Sequence, residues 1–287
     1  MTGEPGLRAG LSRAIATPLL GPLQLVFRSG CMLCGEAVSG AAICPDCAST
    51  FQRLGAACCA RCGKPKFEPS AVEGAGSFVC GECRGKKQHF DRAVSTFLYE
   101  GRMREAILTF KYRKRFRLGQ TLGRLLARYV PLRLESHPSA NDGIKPDVVI
   151  PVPLHVSRLR EREFNQSAIL ARHVATALGL PVQYGALERI KATEFQSTLS
   201  PRRRIENVKN AFKVTHRKAV SGAHVLLVDD IFTHGATANE CAKVLKKAGA
   251  ESVIVVTLAT PPLGHSVDDS DELGRLESQP QTGEPAS

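Results

Sequence analysis

Apolar residues follow two different periods in the middle of the chain, and each period predicts a different element. Residues 90–99 alternate as a strand does, whereas residues 102–112 repeat their apolar positions at helical spacing. The apolar face of that helix would hold Met103, Ala106, Ile107 and Phe110. A second helix is predicted over residues 118–129, and the polar residues 135–145 then mark a turn-rich break.

Beyond this break, short apolar runs alternate with helical segments. Strands are predicted at DVVIPVP (147–153), near residues 182–190, at HVLLVDD (224–230) and at SVIVVTLA (252–259). Helices are predicted over residues 165–178 and 236–248. The alternation predicts an α/β domain with a mostly parallel sheet covered on both faces. Residues 191–210 are polar, rich in arginine and without a clear period, as lids and binding loops are.

The spacing of the cysteines predicts a separate, metal-binding region in the first third of the chain. Eight of the ten cysteines form four C-x-x-C pairs, and the gaps between the pairs suit two four-cysteine zinc ribbons. The predicted ligands are Cys31, Cys34, Cys44 and Cys47 for one ion, and Cys59, Cys62, Cys80 and Cys83 for the other. An interleaved pairing would use the same residues. Disulfides, which need an oxidising compartment, and iron–sulfur ligation are the alternatives. Four thiolates per ion leave no open position, so the predicted zinc is structural.

Charge is distributed unevenly along the chain. The 287 residues carry a net charge of +12, but the first 260 residues hold 38 basic and 21 acidic residues, a net charge of +17. Such a basic body favours phosphorylated ligands or nucleic acid as partners, with a solvated basic surface as the alternative. Residues 261–287 are acidic and rich in proline and serine, and they are predicted to be a disordered tail.

The amino-terminal residues 1–30 are predicted to be an amphipathic segment. Their apolar stretch could pass for a signal peptide, but Pro18 and Pro22 interrupt it and Arg28 spoils a cleavage site before Cys31. No run approaches the roughly 20 apolar residues of a membrane span. We therefore expect a cytoplasmic protein.

The segment VLLVDDIFTHGAT (225–237) carries the main chemical signal. Asp229 and Asp230 would lie at the carboxyl end of a parallel strand, where open α/β sheets bind their ligands. The small-residue loop behind them leads into a helix amino terminus, which favours a phosphate. The pair could therefore hold a ribose and the loop its 5-phosphate. A Walker-B strand is the first alternative, but no G-x-x-x-x-G-K-[ST] precedes it. An aspartate capping the helix is the second, and it explains only one of the two acids.

Several motifs in order resemble the ComF/ComFC competence-protein family, also labelled GntX-like. They are CMLCG, CPDC, FLYEG with FKY, PVPLH, RLREREFNQS, QSTLS with NVKNAF, and the VLLVDDIFTHGAT segment, between about residues 27 and 260. The resemblance implies a zinc ribbon (31–88) followed by a type I phosphoribosyltransferase-like domain (89–260). The last segment looks like the motif with which such enzymes bind phosphoribosyl pyrophosphate (PRPP).

The resemblance also implies a role for each matching position. The catalytic residues would be Asp229, Asp230 and Arg162, and the two aspartates would bind the ribose hydroxyls. PRPP would further bind Thr233, His234, Gly235, Ala236 and Thr237 through its 5-phosphate, and the loop 153–162, including Pro153, Leu154 and Arg160, through its pyrophosphate and Mg²⁺. A flexible hood would contain Gln196, Ser197, Arg204 and Asn207. The chain departs from the family at Glu163, where the family usually has Gly, and at His234, where it usually has Thr or Ser.

Two functions are compatible with these features. The first, which the family implies, is the handling of single-stranded DNA during uptake and recombination in natural transformation, together with DNA-uptake or recombination proteins. A DNA surface is predicted at Lys111, Arg113, Lys114 and Arg115, where Phe110, Tyr112 and Phe116 could stack on bases, unless these rings are buried in an amphipathic helix. The second is a phosphoribosyltransferase of nucleotide or small-molecule metabolism, displacing pyrophosphate with an acceptor that no residue group identifies.

Overall fold

The computed structural model describes residues 29–66, 78–139, 143–192 and 201–264, without the side chains of residues 29, 201, 202 and 204. The strands are β1 (Ser29–Gly30), β2 (Ala37–Val38), β3 (Arg92–Leu98), β4 (Val148–Pro151), β5 (Leu187–Arg189), β6 (Phe212–Val214), β7 (His224–Ile231) and β8 (Ser252–Thr260). The helices are α1 (Pro45–Ser49), α2 (Gly101–Tyr112), α3 (Phe116–Glu135), α4 (Val156–Arg162), α5 (Gln166–Leu178), α6 (Pro201–Val208) and α7 (Ala236–Lys247). A 3₁₀ turn covers Arg217–Ala219.

Four strands form the central sheet in the order β3-β8-β7-β4, and every neighbouring pair is parallel. This confirms the predicted α/β architecture. The strand predicted over residues 90–99 is confirmed as β3, but all seven of its residues are buried, so buried and exposed positions do not alternate along it. Its outer edge is covered by the cysteine-rich segment, where the Leu54 N–H donates to Thr96 O (2.9 Å) and the Ala93 N–H to Arg61 O (2.8 Å). Because the cysteine-rich segment covers this edge strand, neither face of the strand is exposed to solvent.

Each face of the sheet has its own apolar core, because successive strand residues point to opposite faces. In β7, Leu226 and Val228 join the core formed with α2, α3 and α5, and this core also contains the first cysteine cluster. Val225 and Leu227 point to the opposite face, into the core shared by α7, the β5–β6 pair and the second cysteine cluster. The two predicted ribbons therefore lie on opposite faces of one sheet.

Three predictions are corrected on the second half of the chain. The strand expected near residues 182–190 does not join the sheet as a whole, since Val182 makes a single parallel bridge to Val149 and β5 pairs antiparallel with β6. The loop expected over 153–162 contains α4, which His155 caps by accepting from the Ser157 N–H. Residues 191–210 contain α6, and Gln196 and Ser197 lie outside the described residues. Polar composition hid both short helices, because neither has a broad apolar stripe.

The described part of the chain contains no helix that is both long and apolar enough to cross a bilayer. The amino-terminal segment up to residue 28 and the acidic tail from residue 265 lie outside the described residues.

Candidate functional site

Asp229 and Asp230 lie at the carboxyl end of β7, as the sequence predicts. Oδ1 of Asp229 accepts hydrogen bonds from Ser167 Oγ (2.9 Å) and from the Asp230 N–H (2.9 Å). Oδ2 of Asp230 contacts Nζ of Lys111 at 3.1 Å. Asp229 is partly exposed, whereas Asp230 is buried. The pair is thus fixed by three elements, namely β7, the start of α5 and the end of α2.

The two acids lie in an environment that disfavours two negative charges. Burial and the neighbouring charge of Asp230 raise the pKa of Asp229 to about 7. The bonds from the Asp230 N–H and Ser167, and the charge of Lys111, act in the opposite direction. Burial lowers the pKa of Arg189 in β5, and the charges of Cys241 and Asp229 act in the opposite direction. A ligand that donates hydrogen bonds to the pair would favour its ionised form.

The loop between β7 and α7, residues 232–235, is named the phosphate-type turn, because its backbone is that expected of a phosphate-binding turn. Gly235 has φ of 72°, and a Cβ there would lie 2.6 Å from Cζ of the buried Phe232 ring. Only glycine combines this conformation with such a close approach. The loop residues Thr233 and His234 precede the amino terminus of α7, which Ala236 and Thr237 begin. The dipole of α7 favours an anion at this first turn.

The end of β4 brings the predicted pyrophosphate region to the same edge of the sheet. The Val152 N–H donates to Val228 O (2.9 Å), and Val152 O accepts from Nδ2 of Asn165 (3.0 Å), the residue that caps α5. Pro153 and Leu154 follow, half buried, and Arg160 is exposed on α4. Because β4 and β7 are adjacent and parallel, this segment and the phosphate-type turn are neighbours.

Arg162, predicted to be catalytic, lies at the carboxyl end of α4. Its guanidinium lies 5.1 Å from the centroid of the Tyr112 ring, and its Nη1 donates to Oε1 of Gln166 (3.3 Å). These contacts hold Arg162 between α2 and α5, beside the acid pair rather than within hydrogen-bond distance of it. From the predicted hood, Arg204 and Asn207 belong to α6, whose following turn is tied to α7 by the Asn210 N–H on Glu240 Oε1 (3.0 Å).

The eight predicted metal ligands form two clusters, with the sequential pairing. Within each cluster the ligand atoms lie within 4.8 Å of one another. Sγ of Cys34 and Cys44 are 3.6 Å apart, and Sγ of Cys62 and Cys80 are 3.7 Å apart. A tetrahedral zinc with zinc–sulfur bonds of about 2.3 Å holds its sulfurs about 3.8 Å apart. The donor sets therefore fit structural zinc, and the sulfurs are too far apart for disulfides.

The second cluster shares an apolar core with Phe232 of the phosphate-type turn. Glu82, between Cys80 and Cys83, forms an ion pair with the buried Lys64 (2.8 Å). Burial raises the pKa of Glu82, but Lys64, the Gly264 backbone and the charge of His234 outweigh it, so the pKa is lowered. On the other side of the turn, the His89 N–H donates to Oδ1 of Asn239 in α7 (2.7 Å).

The predicted DNA segment is partly corrected. Phe110 is fully buried and stacked on Phe164, so its ring is not available to a base, and Tyr112 is half-buried with the guanidinium of Arg162 over one face of its ring. Phe116 is 49% exposed. Lys111 forms an ion pair with Asp230, and its side chain is only 15% exposed, so it does not lie on an exposed surface. Arg113, Lys114 and Arg115 form the turn between α2 and α3, in which Lys114 pairs with Glu163.

Glu163, one of the departures from the family pattern, occupies a left-handed position. Its φ is 67°, at the carboxyl-terminal cap of α4, and Lys114, its ion-pair partner, has φ of 53°. Glycine is favoured in this region of backbone space, which explains the usual family residue. The carboxylate of Glu163 points to Lys114 and is exposed, so it does not enter the acid-pair site.

Sequence reasoning missed three residues of the site. Ser167 and Gln166 lie within the run EFNQS. The helix cap Asn165 is followed there by two polar residues, and this pattern could have indicated that they face the site. Arg189, on which the charge of Asp229 acts, gave no signal, because its position depends on the β5–β6 pair, which local patterning did not predict.

Comparisons with known proteins agree with this architecture. Residues 22–84 match the model of the double zinc ribbon domain, and residues 133–279 match that of the phosphoribosyl transferase domain. The chain is 34% identical to the DNA utilization protein YhgH of Salmonella typhimurium, over 78% of this chain and 94% of the relative. It is 34% identical to competence protein F of Haemophilus influenzae, over 63% of this chain and 77% of the relative. It is 26% identical to competence protein ComFC of Bacillus subtilis, over 75% of this chain and 83% of the relative. The chain therefore belongs to the ComF/YhgH family of competence and DNA-utilization proteins, and it joins a double zinc ribbon to a phosphoribosyl transferase domain.

Proposed function

We propose that the protein binds PRPP with Mg²⁺ at the carboxyl edge of its sheet. The observation that carries this proposal is that, in the part of the chain that the structure describes, each carboxylate of Asp229 and Asp230 has one oxygen with a partner inside the protein and one oxygen without. Asp229 uses Oδ1 for its two internal bonds, and Lys111 contacts Oδ2 of Asp230. Within the described residues, Oδ2 of Asp229 and Oδ1 of Asp230 thus stay available, one for each of two vicinal hydroxyls.

The neighbouring turn suits the other end of such a ligand. Gly235 brings the backbone close to an anion, and the amino terminus of α7 supplies N–H donors for a 5-phosphate. Pyrophosphate would lie toward α4, where Arg158, Arg160 and Arg162 supply positive charge. Mg²⁺ would neutralise part of the pyrophosphate charge, and the oxygens of Asp229 and Asp230 are of the kind it prefers.

If the protein is a transferase, the acceptor forms a bond to C1 of the ribose while the bond from C1 to the pyrophosphate oxygen breaks. The electron pair leaves with pyrophosphate. Asp229 and Asp230 would orient the ring, and the arginines of α4 would stabilise the leaving charge. Pyrophosphate release that requires an added acceptor would establish transfer, and binding without release would establish a PRPP-responsive binding protein.

The direct test is calorimetric titration of PRPP with Mg²⁺ into the wild type, Asp229→Asn and Asp230→Asn. Charge-assisted hydrogen bonds contribute roughly 1.5–3 kcal/mol, so each variant is expected to lose at least about tenfold in affinity. Asp147→Asn is the matched control, because Asp147 accepts from the His224 N–H (2.8 Å) at the opposite end of β7. Equal affinity in all four proteins would refute the site.

We also propose that the protein acts on single-stranded DNA, since relatives carry the names DNA utilization protein and competence protein. Its net charge and the half-exposed Phe116 beside Arg113, Lys114 and Arg115 support this proposal. DNA affinity should fall with salt, and alanine at these three cations should reduce the salt slope by about two. An unchanged slope would remove this segment from the DNA surface.

We propose a cytoplasmic location, where thiolate ligands stay reduced.

A further inference from the structure

Lys111 has an environment unlike that of the other cations in its segment. It lies in the last turn of α2, and its ammonium contacts Oδ2 of Asp230 at 3.1 Å. The side chains of Lys111 and Asp230 are only 15% and 12% exposed, whereas Lys114, three residues later, is 48% exposed. A lysine enclosed to this degree has little surface left for DNA phosphates.

The residues on either side of Lys111 fix its position. Phe110 is fully buried, and its ring stacks on that of Phe164 with centroids 5.7 Å apart. Tyr112 lies under the guanidinium of Arg162. The first contact reaches the short connection between α4 and α5, the second reaches the last residue of α4, and the start of α5 supplies Ser167 to Asp229. The end of α2 and the acid pair are thus held by the same connection.

We propose that Lys111 is a positioning residue of the ribose-phosphate site, holding one oxygen of Asp230 and leaving the other for a ribose hydroxyl. This inference rests on the proposed function. The ammonium also offsets the repulsion between two adjacent carboxylates, so that both can accept hydrogen bonds at once. Without it, Asp230 would be able to rotate, and a ligand would have to order its carboxylate on binding.

The test compares variants by calorimetric titration with PRPP and Mg²⁺. Lys111→Gln removes the charge but keeps most of the side-chain length, and its affinity is expected to fall about tenfold. Lys111→Arg restores the charge and should bind within about threefold of the wild type. Lys114→Gln removes a neighbouring exposed cation and should bind within about twofold. Lys111→Met, which keeps the aliphatic stem, replaces Lys111→Gln if that variant does not fold.

A double-mutant cycle separates positioning from a structural role. If Lys111 acts through Asp230, then Lys111→Gln in the Asp230→Asn background should cause no further loss of affinity. Full additivity, or wild-type affinity in Lys111→Gln, would overturn the inference while leaving the PRPP site intact. Absence of binding by the wild type would instead refute the proposed function itself.

Discussion

The two cysteine clusters use the same ligands and similar turns, yet they serve different parts of the molecule. The first cluster packs on the face covered by α2, α3 and α5, where the Ala42 N–H donates to Oγ1 of Thr121 (3.3 Å), and its Cys34 is exposed. All four cysteines of the second cluster are buried, and they share a core with Phe232 and α7.

This difference indicates that the second ribbon packs directly against the phosphate-type turn, whereas the first ribbon reaches the candidate site only through the helices that it covers. Phe90, just beyond its last cysteine, packs edge-on against Phe232 with ring centroids 5.7 Å apart. The Phe232 N–H donates to Ala259 O (2.9 Å), which ties the turn to β8. The second ribbon therefore forms part of the wall behind the phosphate-type turn, whereas the first ribbon covers a helical layer.

The largest expected difference between the clusters is in metal release. We expect two zinc ions per chain, and a thiol-modifying reagent should release one of them at least about tenfold faster, because only Cys34 offers an exposed sulfur. Release followed with a metal-sensitive dye would check this. Cys34→Ser should abolish the fast phase, and a single phase in the wild type would contradict the assignment.

Gly35 and Gly63 follow the second cysteine of a pair in each cluster and provide a matched test of stability. Both have positive φ, 82° and 68°. A Cβ at Gly35 would have no neighbour within 4 Å, whereas one at Gly63 would lie 2.4 Å from the Ala93 carbonyl oxygen on β3. Gly35→Ala should cost about 1 kcal/mol of unfolding free energy, from the left-handed backbone alone.

Gly63→Ala adds a collision with the backbone of the sheet, so its loss should exceed that of Gly35→Ala by about 2 kcal/mol or more. Denaturant unfolding of both variants measures the difference. Equal losses would mean that the second ribbon is not packed against β3 as described.

The acid pair should make PRPP binding depend on pH. The pKa of Asp229 is raised to about 7, and a ribose hydroxyl donates to the ionised form, so affinity should rise about tenfold between pH 6 and 8. The charged and titratable groups facing Asp229 are Asp230, Lys111, Arg189 and Cys241. Asp229→Asn should remove this dependence and leave only that of the ligand. An unchanged profile would exclude Asp229 as the titrating group.

The same pKa shift affects the unliganded protein. The folded state holds the Asp229 proton to a higher pH than the unfolded state does, so this group should lower the free energy of unfolding as the pH rises from about 4 to about 7. Thermal unfolding of the wild type and Asp229→Asn across this range would show the difference.

The smallest expected effect concerns the bond between α7 and the segment that follows the second ribbon. Asn239→Ala removes the acceptor of the His89 N–H, and we expect a loss of about 1 kcal/mol in stability and a two- to threefold loss in PRPP affinity. Lys246→Ala, which breaks an ion pair with Asp91 at the other end of α7, is the control and should leave PRPP affinity unchanged. Identical affinities would show that this bond does not position the turn.

Local sequence patterns were sufficient for the elements that carry the site. The run of apolar residues ending at Asp229 and Asp230 predicted β7, and the C-x-x-C spacing predicted the two cysteine clusters. Patterns failed where a distant segment decides the outcome. The burial of β3 depends on the ribbon at its edge, and the place of Lys111 depends on α2 meeting β7. Neither contact leaves a signal in the adjacent residues.

The central claim is that the phosphate-type turn of the proposed PRPP site rests on the second ribbon rather than on the first. It is tested most directly by titrating PRPP with Mg²⁺ into Cys62→Ser and Cys34→Ser, with circular dichroism to monitor the α/β fold. We predict at least about tenfold weaker binding in Cys62→Ser and near wild-type binding in Cys34→Ser. Equal affinities in the two variants, or a loss confined to Cys34→Ser, would contradict the account.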